Sequence, residues 1–72
     1  MNLTDLPFNT KARIISVEKS IGSIVGKMGV LPGELIQVIR ASPLGDPLEL
    51  EIKNYNLSLR KSECKLIEVE IL

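Results

Sequence analysis

Short apolar stretches separated by turn-forming residues run along most of the chain, and their period predicts its elements. Ala12-Arg13-Ile14-Ile15-Ser16-Val17, inside a β-rich run from Lys11 to Glu18, reads as a first strand. The period then changes. Ile21, Ile24, Val25 and Met28 fall at i, i+3, i+4 and i+7, one face of a short helix with Ser20 as its N-cap and Gly29 as its end. Leu31-Pro32-Gly33-Glu34 predicts a type II turn, in which Pro presets the first central φ and Gly supplies the positive φ that follows. Leu35 to Arg40 has apolar residues on both faces and reads as a central, strongly buried strand. Ser42–Pro47 is a loop by composition, since its prolines would interrupt a ladder.

Beyond that loop, Leu48–Ile52 alternates strictly, so one face is core and the other solvent. Lys53-Asn54-Tyr55-Asn56 predicts a tight hairpin turn, with Asn taking the left-handed conformation. Leu57–Arg60 returns as a fourth strand, Lys61-Ser62-Glu63 makes a short polar turn, and Leu66–Ile71 alternates again. Ahead of the first strand, Thr4 to Asn9 is a turn anchored by Leu6. Five short strands and one helix cannot cover a flat sheet, so the fold class is all-β, a small, partly open barrel.

Composition narrows the function. The 72 residues make one domain, 1–72, and Leu, Ile and Val supply 25 of them, enough for a globular core. Nine basic and nine acidic side chains leave no net charge, so the electrostatic footprint of a nucleic-acid binder is missing. One Phe, one Tyr and no Trp give no row of platforms for stacking bases. Cys64 is the single cysteine and has no internal disulfide partner, and no apolar run reaches membrane-spanning length. These features point to a reduced, cytoplasmic setting, without nucleic acid and without membrane insertion.

Candidate chemistry is sparse. The chain has no His, the commonest general base, so Cys64 lacks an imidazole to make it a thiolate and reads as a small buried hydrophobe. Glu49 with Glu51, and Glu68 with Glu70, share strand faces and read as solvated edges, not as acid/base pairs. No cofactor or permanent metal centre is expected; Asp5, Asp46 and Glu49 offer at most a weak oxygen site. Two features stand out from this background. Gly22 and Gly26 each cost ~1 kcal/mol in a helix interior, so either packing holds the helix or they form a smooth strip where another backbone approaches. Leu44, at a loop tip, either folds back on the core or projects as an anchor for a partner.

The order of three motifs resembles the FeoA family: Met28-Gly29-Val30-Leu31-Pro32-Gly33-Glu34, then Ala41-Ser42-Pro43-Leu44-Gly45-Asp46-Pro47, then Asn56-Leu57-Ser58-Leu59-Arg60. Leu3 and Leu6 fit the family's opening Leu-x-x-Leu, so the resemblance covers nearly the whole chain. It implies an SH3-like barrel and a non-enzymatic cytoplasmic accessory of ferrous iron uptake, whose partner is the membrane permease FeoB with its GTP-binding domain. The chain departs from the family at Ser23 and Ile24, where long or basic residues are common, at Asn9 and Asn54, commonly Gly, and at Cys64, usually Ala. Phe8 and Tyr55 are too few aromatics for a proline-peptide groove. The expected partner contact is Gly22, Gly26 and Met28 on the helix with Leu44 and Asp46 on the loop, Asp46 fixing orientation. Rival readings are a sensor or metallochaperone holding Fe²⁺ or Mn²⁺ at carboxylates, and a regulatory domain related to the C-terminal domain of iron-dependent repressors.

Overall fold

A computed structural model describes residues 1–72. A 3₁₀ turn, Leu3–Asp5, leads into β1 (Ala12–Val17), α1 (Lys19–Gly26), β2 (Leu35–Ala41), β3 (Leu48–Ile52), β4 (Tyr55–Leu59), α2 (Lys61–Cys64) and β5 (Ile67–Ile71). All five strands join one antiparallel sheet in the order β4-β3-β2-β1-β5. The all-β architecture matches the periodicity, with one addition: the polar turn after β4 winds into the single helical turn α2. It does so because two orphan amides at its start find carboxylates, Arg60 N–H donating to Glu63 Oε1 at 2.9 Å and Lys61 N–H to Asp46 Oδ1 at 2.9 Å.

Two bulges curl the sheet. On β1, Ile14 stands opposite Val69 but Ser16 opposite Glu68, so Ile15 is an extra residue; on β2, Val38 faces Leu50 but Arg40 faces Glu49, so Ile39 is another. Each bulge resets the inward phase, from Ala12 and Ile14 to Val17 on β1, and from Ile36 and Val38 to Ala41 on β2. This corrects the reading of the second strand. It is central, but Leu35 is 38% exposed and only one face reaches the core. The core contains Leu3, Ile14, Val25, Ile36, Leu50 and Ile67, and no polar or charged residue is buried.

α1 contributes one fully buried residue, Val25, while Ile24 is exposed. Ser20 does not cap it. Glu18 occupies the N-cap, and Ser20 lies inside the helix, its hydroxyl donating to Glu18 Oε1 at 3.1 Å. Gly29 does end it: Val30 N–H donates to Val25 O at 3.1 Å and Gly29 N–H to Gly26 O at 3.0 Å, a Schellman motif with Gly29 at φ +89°. The type II turn also forms, with Gly33 at φ +94° and Glu34 N–H donating to Leu31 O at 3.1 Å. The hairpin differs from expectation. Ile52 pairs directly with Tyr55, so the turn is Lys53-Asn54, and Lys53, not Asn54, carries the positive φ of 55°.

An added Cβ at Gly29 would be strained by its φ and would run into the Tyr55 hydroxyl. Gly29→Ala is therefore expected to cost about 1–3 kcal/mol, lowering the melting temperature by roughly 5–20 °C in a domain of this size. An unchanged thermal melt by circular dichroism would show that the helix end does not need this geometry.

Candidate interaction surface

The helix end and the hairpin meet at one exposed apolar patch. The Tyr55 hydroxyl donates to the Met28 carbonyl, bringing the start of β4 against the last turn of the helix. Leu31 lies over Gly26, its Cδ2 only 3.5 Å from where a Cβ on that glycine would stand. Leu31 and Tyr55 remain 47% and 42% exposed, and Met28 is half-buried beside them. One turn back along α1, Gly22 has nothing within 4 Å of its added Cβ, so the strip is open there. The structure thus joins Gly26 and Met28 to Leu31 and Tyr55, which the sequence reading missed. By sequence Leu31 reads as part of a turn and Tyr55 as part of a hairpin loop, yet the chain's one Tyr, next to the alternating Asn56-Leu57-Ser58-Leu59, is a signal.

The loop half of the expected contact lies elsewhere. Leu44 projects, 96% exposed, from a loop fixed by Gly45 N–H to Ser42 O at 2.7 Å, Ser42 N–H to Pro47 O at 3.0 Å and the Ser42 hydroxyl to Asp46 O at 2.6 Å. Asp46 commits Oδ1 to the Lys61 amide, so it secures the loop to the start of α2. That end of the hairpin adjoins Leu59, whereas the helix patch adjoins Tyr55. At a rise of ~3.4 Å per residue, the two ends of β4 are about 14 Å apart. Gly22, Gly26 and Met28 form one area and Leu44 with Asp46 a second.

The family model of the FeoA domain matches residues 1–71. The chain belongs to the FeoA family. A fusion of Fe(2+) transport protein A with the Fe(2+) transporter FeoB from Porphyromonas gingivalis is 35% identical over 74 residues, spanning 100% of this chain and 9% of that protein. The chain therefore covers under a tenth of that curated relative's length. The solution structure of iron(II) transport protein A from Clostridium thermocellum is 41% identical, with a TM-score of 0.86 over 100% of this chain and 46% of that one. The zinc-complexed FeoA of Stenotrophomonas maltophilia, described as a prokaryotic SH3 domain protein, is 29% identical with a TM-score of 0.83 over 97% of this chain and 89% of that one. The curled five-stranded sheet is accordingly the SH3-like fold of FeoA, a family linked to ferrous iron transport.

The FeoA domain ties several of its polar side chains into hydrogen bonds within the fold. Its acidic groups are dispersed: Asp5 Oδ2 accepts from Asn2 N–H at 3.1 Å, Asp46 holds Lys61, and Glu49 accepts two bonds from Arg40 at 2.9 and 3.1 Å. The Glu49 hydrogen bond, reinforced by its charge, pushes the Arg40 guanidinium above its ordinary pKa. No three His, Cys, Asp or Glu side chains gather where they could hold a metal ion. Two shallow clefts, one of ≈ 150 Å³ beside Leu35 and Glu51 and one of ≈ 270 Å³ beside Val17 and Leu66, are smaller than ordinary small-molecule sites.

Cys64 is fully buried, and its Sγ sits 4.0 Å from Leu59 O. Burial, with smaller contributions from the charges of Glu63 and Asp46, pushes its thiol up to about 12 from 9.0. The folded chain then keeps a proton that the unfolded chain loses, so Cys64 withdraws stability as pH rises above about 9. Urea titrations from pH 8 to pH 11 should show an alkaline loss of stability that is smaller in Cys64→Ala. Equal losses in the two proteins would remove the thiol from the account.

Proposed function

We propose that this FeoA domain is a non-enzymatic accessory of ferrous iron uptake that docks on the cytoplasmic part of a FeoB-type permease and modulates it. The fusion of Fe(2+) transport protein A to FeoB in the Porphyromonas gingivalis relative carries this reading. A tether raises the local concentration of one partner to about millimolar, so a small surface suffices where the two act together. The surface fits that demand. Gly22 and Gly26 allow close approach, Met28, Leu31 and Tyr55 supply adaptable apolar area, and Leu44, on the loop that Asp46 secures, is a separate anchor. No helix of the chain is long and apolar enough to cross a membrane; in this reading the FeoA domain docks by surface contact from the cytoplasmic side.

The test is a ¹⁵N–¹H titration with the cytoplasmic GTP-binding domain of the cognate permease, followed by Fe²⁺ alone. Shifts on α1, Leu31 and Tyr55 with the protein, and none with the ion, are expected; the reverse pattern would make this a metal-binding domain. Gly22→Ala separates folding from docking, because its Cβ meets nothing and a mid-helix Ala adds about 0.5–1 kcal/mol of stability. A more stable variant that binds as well as the parent would take Gly22 out of the contact. Leu44→Asp should remain folded and lose binding; undiminished affinity would dismiss the loop anchor.

A further inference from the structure

The two edges of the sheet are treated differently. β5 is sealed, because Val69 N–H donates to Met1 O at 2.9 Å, Asn2 bridges to Glu68, and the N-terminal ammonium pairs with Glu68 at 3.3 Å. β4 pairs with β3 and with nothing else. With Ile52 and Tyr55 closing a two-residue turn, Leu57 and Leu59 direct their backbone groups to β3, while those of Asn56 and Ser58 point outward. Both are exposed, and no hydrogen bond outside the ladder uses either backbone. β4 also lacks the usual protections of an edge: Tyr55-Asn56-Leu57-Ser58-Leu59 contains no proline, charge or bulge.

The charges beside that edge select an occupant. From Lys53 to Lys61 the chain carries Lys53, Arg60 and Lys61 and no acid. Arg60 and Lys61 form no ion pair, and Lys53 has only a long exposed one, 3.7 Å to Glu34. A second copy fits poorly. The self-pairing register that uses both outward residues sets Asn56 opposite Ser58 and brings the Lys53-Asn54 turn of each copy beside the Arg60 end of the other, like charge near like. We propose that β4 is a docking edge for an extended segment of a partner protein that has uncharged residues at its centre and acidic side chains at both ends. Main-chain bonds to Asn56 and Ser58 hold the segment, and the basic ends set its position and exclude basic sequences. The inference deepens the docking reading by adding main-chain contacts at Asn56 and Ser58 to a surface that meets the helix patch at Tyr55.

A nine-residue peptide of alternating Thr and Val with Glu at both ends is the probe, and the same peptide with Lys at both ends is its control. Titrated into the ¹⁵N-labelled chain, the Glu-ended peptide should shift the Asn56 and Ser58 amides and slow their hydrogen exchange at least tenfold. The Lys-ended peptide should bind about tenfold more weakly. Ser58→Pro removes an outward N–H without breaking a ladder bond and should abolish binding while the fold persists. If that variant fails to fold, exchange in the parent chain decides. Unchanged exchange at Asn56 and Ser58, equal affinity for both peptides, or protection that arises from self-association would each overturn the proposal. The permease domain, run in parallel, separates the two readings. Shifts on α1 and Leu31 with no protection of β4 overturn the edge and leave docking intact.

Discussion

β1 is the strand that both halves of the sheet need, because Ala12 stands opposite Ile36 of β2 on one side and Ile71 of β5 on the other. It cannot serve both along its whole length. Pairing with β2 stops after Arg13, and Ile14 instead exchanges main-chain bonds with the turn, accepting from Gly33 N–H at 2.7 Å and donating to Glu34 O at 2.9 Å. Beyond that point β1 follows β5, and the bulge at Ile15 bends it. A domain of this length buries a limited share of its surface. Without that bend, the strip of Ile14, Ile36, Leu50 and Ile67 would have no common interior in which to meet.

The same arrangement determines what lies outside. The turn held on Ile14 brings the chain back from α1, and the Schellman motif at Gly29 directs the helix end toward the hairpin. Leu31 and Tyr55 are thus left partly in solvent beside Gly26 and Met28, as a by-product of closing the core. An apolar patch formed by residues already fixed for folding loses little conformational entropy when a partner covers it, which favours even a small contact.

Strand identity was legible because β3 and β5 follow a strict period of two and their partners are separated by recognisable turns. The glycines at 29 and 33 were legible for the same local reason: only a few backbone conformations end a helix or make a type II turn. What failed depended on distant contacts. The bulges at Ile15 and Ile39 look like continuous apolar strand until the opposing strand is known. α2 winds because Asp46, fifteen residues upstream, reaches the Lys61 amide. Ser20 was a reasonable cap by type, but the chain enters the helix two residues earlier. For the interaction surface, the glycines and Met28 were visible, whereas their grouping with Leu31 and Tyr55, and the distance to Leu44, follow from the hairpin's placement.

The main-chain bond between Met1 and Val69 also settles how this fold can be joined to something larger. The first residue and the last strand lie side by side, so a polypeptide continuing from either end departs from the β5 edge. In the sheet order that edge is as far as possible from β4. A connection made there meets the strand whose outward backbone is already used by Met1, and leaves the outward groups of β4 uncovered.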